Sequence, residues 1–189
     1  MRRVNLCAWP LLFLPLFAVA GDAPKSDPWS PVRFLIGTWD GTSQGEPGNG
    51  TVSRTYEFVL KGRFIQERNT STYPPQEKNQ KGEVHEHMSI LSHDRIRKVL
   101  VLRQFHTEGF VNQFALNTAT SSPAKLVFES ESFENLDSRF RARETYEILG
   151  PDEFTETFEI AEPGKEFATY SKTRFRRAGF SKHAREAKE

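Results

Sequence analysis

The chain predicts an all-β fold: an antiparallel up-and-down barrel of about ten strands, with a short helical turn plugging one end. Three observations carry this. From Gly37 onward, apolar residues recur at every second position, as in "TVSRTYEFVL" and "EFTETFEI", and not at helical spacing. The segments are joined by hairpin-length links, which favours pairing of sequence neighbours in series. So many strands in 189 residues solve their edge problem by closing on themselves. An open sandwich is the alternative arrangement.

In order along the chain, residues 1–20 differ in kind from the rest. "MRRVNLCAWPLLFLPLFAVA" has Arg2 and Arg3 at its front, an apolar stretch from Leu11 to Val19, and small residues before Gly21. That is the three-part plan of a signal peptide, so we expect an exported protein, periplasmic or extracellular. The apolar run is short for a bilayer and is broken by Pro10 and Pro15, so no transmembrane span is expected after its removal. Residues 21–31, "GDAPKSDPWSP", read as a flexible lead-in. "PVRFLIG" predicts one helical turn with Phe34, Leu35 and Ile36 burying one side.

The barrel domain is expected over 32–177. Its clearest strands place Val52, Tyr56, Phe58 and Leu60 on one face, then Phe140, Ala142, Tyr146 and Ile148, then Phe154, Phe158 and Ile160. The final segment puts Phe167 and Phe175 on one side and Tyr170 on the other. Between these lie "GRFIQERNTSTY", "GEVHEHMSIL", "RKVLVLRQFH", "GFVNQFALN" and "AKLVFESES", bounded by Gly, Pro, Asn and Asp turn signals. Residues 178–189 carry scattered charge and little to bury, and read as a frayed or disordered tail.

Charge and cysteine usage exclude several classes. Of 26 basic residues, Arg2 and Arg3 leave with the signal, so 24 face 25 acidic ones. No charge excess recruits nucleic acid or an anionic membrane. The single cysteine, Cys7, leaves as well, which removes disulfide and thiol chemistry. There is no nucleophile elbow and no Gly-rich phosphate loop, and Glu129 with Glu131 on one strand face reads as a solvated surface. These grounds weigh against a hydrolase and lean away from an enzyme, without deciding it.

"GTWDG" resembles the first-strand signature of calycin-type barrels, the lipocalins, fatty-acid-binding proteins and relatives. Together with "TYEFVLKGRFIQER", "ILSHD" and "GKEFATYSKTRFRR", it is similar in order and spacing to a bacterial calycin-like family of unassigned function, related to the nitrobindin-type haem-binding barrels. The resemblance implies that Trp39 packs across the barrel floor against an arginine of the last strand, here Arg174 or Arg176. It also implies a haem-ligating histidine near the C-terminal strand. "EFATYSKTRFRR" has none, and His183 lies in the tail, so the haem activity does not carry over on that residue.

Two sets of residues could carry chemistry. His85 and His87 are two apart and share a strand face, where, with His106 nearby, they could hold a metal or haem iron. Alternation puts Val84, Met88 and Ile90 on the opposite, more apolar face, which favours instead two solvated histidines on the outside. The second set is polar residues within apolar faces: Arg54 beside Tyr56 and Phe58, Arg103 beside Phe105, Asn112 beside Phe114, Glu144 beside Tyr146, Glu156 beside Phe158, and Arg68 following Phe64. Inside a barrel such charges must be paired or hydrated. Either Arg54 or Arg103 pairs with Glu144 or Glu156, or an arginine is left to clamp a carboxylate or phosphate head while phenylalanines line an apolar tail.

The expected function is therefore an exported barrel that binds a small, largely apolar or amphipathic molecule, with an acidic head group as one form of it. A haem or metal barrel using His85, His87 or His106 is the second reading. A ligandless cell-envelope interaction module is the third.

Overall fold

The computed structural model describes residues 27–77 and 79–179. The expected signal peptide, residues 21–26 of the lead-in, and the tail from residue 180 with His183 lie outside the described residues.

Ten strands follow a 3-10 turn at Arg33–Leu35: β1 (Gly37–Gly45), β2 (Gly50–Val59), β3 (Phe64–Tyr73), β4 (Glu83–Asp94), β5 (Val99–His106), β6 (Val111–Leu116), β7 (Lys125–Glu134), β8 (Arg141–Gly150), β9 (Glu153–Ala161) and β10 (Ala168–Arg177). Each pairs antiparallel with its sequence neighbours, and β1 also pairs with β10, which closes the barrel. Closure gives both sides of β1 a partner: Trp39 stands opposite Arg54 on one side and Arg177 on the other. No helix among the described residues is long and apolar enough to cross a membrane.

One end of the barrel is stoppered. Trp29, Val32 and Leu35 are buried there, and Trp29 packs edge-on to Phe58 at 6.0 Å. Trp39 is fully buried above them, donates from Nε1 to the Leu35 carbonyl at 2.6 Å, and meets Phe154 edge-on at 4.8 Å. Ordered packing begins before residue 32: the Trp29 amide donates to Asp27 Oδ1 at 3.1 Å, so residues 27–31 belong to the plug and not to a flexible lead-in.

The arginine over Trp39 is Arg177, not Arg174 or Arg176. Phe175 points inward and is fully buried, so strand alternation turns Arg174 and Arg176 outward, where both donate to Glu153. Arg177 shares the parity of Phe175. Its guanidinium carbon lies 4.3 Å from the indole centroid, and its nitrogens donate to the carbonyls of Ile36 at 2.9 Å and Phe34 at 3.0 Å. The last strand thereby clasps the plug. The flanking glycines fit this packing. A Cβ on Gly37, whose φ is +124°, would meet Arg177 at 2.8 Å, and one on Gly41 would meet Phe175 and Thr173 at 2.9 Å.

Two further expectations are corrected. Leu60 is not on the inner face with Phe58 but in the Leu60–Arg63 turn, 72% exposed with φ +48°. Phe167 and Phe175 do not share a side, because the register shifts between Thr169 and Ser171 and inverts alternation across the bulge. Phe167 lies under the guanidinium groups of Arg141 and Arg143, while Phe175 is interior.

Candidate functional site

The strands run up and down, so the connections alternate between ends. The β1–β2, β3–β4, β5–β6, β7–β8 and β9–β10 links surround the end opposite the plug, and a cavity of about 380 Å3 opens there. Its apolar lining is mainly Phe110, Phe133, Phe140, Phe158 and Ile160. Its polar lining is Arg54, Asn69, His85, His87, Gln104, His106, Asn112, Glu144 and Glu156.

The base is a buried ion network. Arg54 donates through one end of its fork to Glu156 Oε2 and through the other to Glu156 Oε1 at 3.2 Å. Its Nε donates to Asn69 Oδ1 at 2.9 Å and lies 3.1 Å from Glu67 Oε1. The guanidinium sits 4.5 Å over the Phe175 ring, which supports it from below. Of the two arrangements open for Arg54, the structure has internal pairing, with Glu156 and also with Glu67. Burial alone would raise the Glu67 carboxyl, but Arg54 and His87 outweigh it and hold its pKa at about 2. Glu144 accepts from Gln104 at 2.7 Å and from Tyr146 at 2.8 Å. It has no cationic partner, and burial, then the negative Glu156 and Glu67, push it up to about 8, so it is mostly protonated at neutral pH.

Above this network the three histidines converge. His85 and His87 project from one face of β4, and His106 on β5 stands directly opposite His87. Their ring centroids lie 5.3 to 5.6 Å apart in every pairing. The expected outer-face placement is overturned: Val84 on the other face is 63% exposed, and the histidines look into the cavity. Burial, then His87 and His85, lower His106 to about 3, so it is neutral. Phe110 stacks on it at 4.1 Å.

The structure distributes the other expected site residues over four places. Arg54, Asn112, Glu144 and Phe158 line the cavity with the histidines. Tyr56, Phe114 and Tyr146 are interior but lie deeper in the core, and Phe58 packs at the plugged end. Tyr56 still serves the site, since its hydroxyl accepts from Arg54 at 3.2 Å. Arg68, Arg103 and Phe105 face outward: Arg68 is exposed, Arg103 donates to Ser92 at 3.1 Å, and Phe105 is 41% exposed. The corresponding interior residues are Glu67 and Gln104, which the sequence reading missed.

Turn length was the available signal. The four-residue Leu60–Arg63 turn pairs Val59 with Phe64, which sets Arg54 opposite Asn69 and Tyr56 opposite Glu67, and opposed residues share a face. On β5 both parities are apolar at first, so alternation alone does not choose. The register does: Leu102 faces Phe114 and Gln104 faces Asn112.

No protein-family model matches the chain, and no curated protein matches it. The crystal structure of Rv2717c from M. tuberculosis is similar to 80% of this chain and 98% of that one, with a TM-score of 0.59 and 14% sequence identity. At that identity the likeness shows a shared fold. A redesigned β-barrel, b11L5F_LGL, matches at 10% identity over 76% of this chain and 91% of that one, with a TM-score of 0.40.

Proposed function

We propose that this barrel binds one small, largely apolar molecule end-on in its open cavity. The supporting observation is the combination of several phenylalanines with fixed polar groups in the lining of that cavity, within about 380 Å3 of space. Specific small-molecule pockets occupy roughly 300–1,000 Å3 and combine apolar lining with a few fixed polar groups. An apolar body lies along Phe110, Phe133, Phe140 and Phe158, and a polar end reaches the histidines and Asn112. Arg54 is not the head-group clamp, because Glu156 and Glu67 already occupy it. We further propose that the protein acts outside the cytoplasm, on the pattern of residues 1–20 alone.

Native mass spectrometry of protein purified from its own host tests the binding reading. The expected result is a released mass of a few hundred daltons. Ala142→Trp, which fills the cavity beside Ile160, abolishes that mass and the uptake of a dansyl-labelled undecanoic acid. A chain that carries no such mass and takes up no probe is instead a packed interaction module.

A further inference from the structure

We propose that His85, His87 and His106 form a three-histidine zinc site whose fourth position opens into the cavity. One ring nitrogen from each histidine lies within 4.8 Å of one from each of the others. Two residues at i and i+2 on β4 and a third opposite on β5 are what a sheet needs to aim three imidazoles at one point. His85 Nε2 and His106 Nδ1 are 3.4 Å apart, long for a hydrogen bond. With zinc–nitrogen bonds of about 2.0–2.1 Å, the edge of a tetrahedral site is about 3.3–3.4 Å.

The outer partners of the rings point the same way. Each histidine has one nitrogen held from behind: His85 Nδ1 by Glu108 at 2.8 Å, His87 Nε2 by Glu67 at 3.0 Å, and His106 Nε2 by the Asn112 amide at 3.2 Å. Metal-bound histidines are held in this way, with carboxylate or carbonyl partners fixing the tautomer. The remaining nitrogen of His87, Nδ1, is buried with no partner, on a side chain only 9% exposed. Asn112 Oδ1 is also buried without a partner. Turning the Asn112 amide over lets Oδ1 accept from His106 Nε2–H, which satisfies that oxygen and leaves His106 Nδ1 free to bind an ion. A zinc ion thus gives the His87 orphan a partner and leaves the Asn112 one satisfied.

Three neutral nitrogens with one open position suit zinc, and imidazole is a ligand zinc shares with copper, iron and nickel. If the cavity takes the guest proposed above, an anionic head binds the ion, the role the paired Arg54 does not fill. That last step rests on the guest reading. The metal site itself does not.

The test is calorimetric titration of zinc chloride into the chelator-treated full chain, with zinc-edge X-ray absorption of the loaded protein. One zinc per chain with three imidazole nitrogens is expected. His106→Gln and His85→Gln each weaken binding at least tenfold, Glu108→Gln weakens it less, and His93→Ala, opposite Leu100 at the other end of β4, leaves it unchanged. Circular dichroism identifies any variant that fails to fold, and a zinc-dependent rise in melting temperature of the unaltered chain, absent with magnesium, gives an independent readout. Absence of stoichiometric binding, or equal binding by the His85 and His106 variants, overturns the proposal. Uptake of the dansyl probe by the zinc-free chain separates the two readings: uptake without zinc binding overturns only the metal site, and zinc binding without uptake overturns only the guest.

Discussion

The guanidinium carbon of Arg177 lies over the indole of Trp39, 4.3 Å from its centroid, and the guanidinium binds the backbone of the segment that seals the barrel. One residue of the last strand therefore holds both the floor and the plug. Arg177→Ala is expected to cost about 2 kcal/mol or more, from the lost cation–π contact and the carbonyls left unpaired. Arg174→Ala and Arg176→Ala, both on the solvent face, are expected to stay within about 0.5 kcal/mol. Urea unfolding followed by tryptophan fluorescence distinguishes these outcomes, and equal effects at the three positions contradict the floor assignment.

Gly41 passes directly under Phe175, which stacks on Phe154 and carries Arg54 above it. A methyl group there must displace a ring that has nowhere to go. Gly41→Ala is expected to destabilise by about 1–3 kcal/mol, as overpacking does. Gly150→Ala, where nothing lies within 4 Å of the added carbon, is the control and is expected to be near neutral. Thermal melts of the two variants decide it.

Arg54 serves two buried carboxylates at once. Arg54→Met strands both Glu67 and Glu156, and a loss of about 3–5 kcal/mol is expected. Glu156→Gln leaves Arg54 still paired with Glu67 and is expected to cost less. Chemical denaturation of both variants measures the order, and a milder Arg54→Met rules out the network as drawn.

Two buried carboxyls titrate in opposite directions. Glu67 sits at about 2 in the folded chain, below its ordinary 4.5, so its stabilisation is present above about 4.5 and is lost as pH falls toward 2. Glu144 sits at about 8, above its ordinary 4.5, so the folded chain holds a proton that the unfolded chain releases. Its contribution is complete below about 4.5 and declines as pH rises to about 8. His106, held at about 3 against its ordinary 6.5, gains stability as pH rises to about 6.5 and offsets this, so the net fall is expected from about 6.5 to 8, and Glu144→Gln is expected to flatten it. Melting temperatures measured from pH 4.5 to 8.5 in both proteins show whether it does.

The architecture was legible because period-two patterning and short links survive any error in facing. Ten strands and the buried Trp39 follow from them. Facing is a finer property, and it failed where a strand offers two plausible sides. β3 begins with Phe64 and Ile65 on opposite faces, and β5 is apolar at both parities, so Arg68, Arg103 and Phe105 were drawn inside while Glu67 and Gln104 were overlooked. Arg174 and Arg176 failed for the same reason, one residue from Arg177. The histidines raised the opposite difficulty: three polar rings on an inner face look wrong to an alternation argument until their joint use is seen.

The up-and-down course also fixes where the barrel's ends leave it. β1 starts and β10 finishes beside one another at the sealed floor, with Gly37 next to Arg177, while the open cavity faces the other way. A tether attached just ahead of residue 27 or just after residue 179 would hold the molecule by its base. Such a protein can be fixed to a sensor chip, or strung in tandem copies, with every mouth still facing the solution.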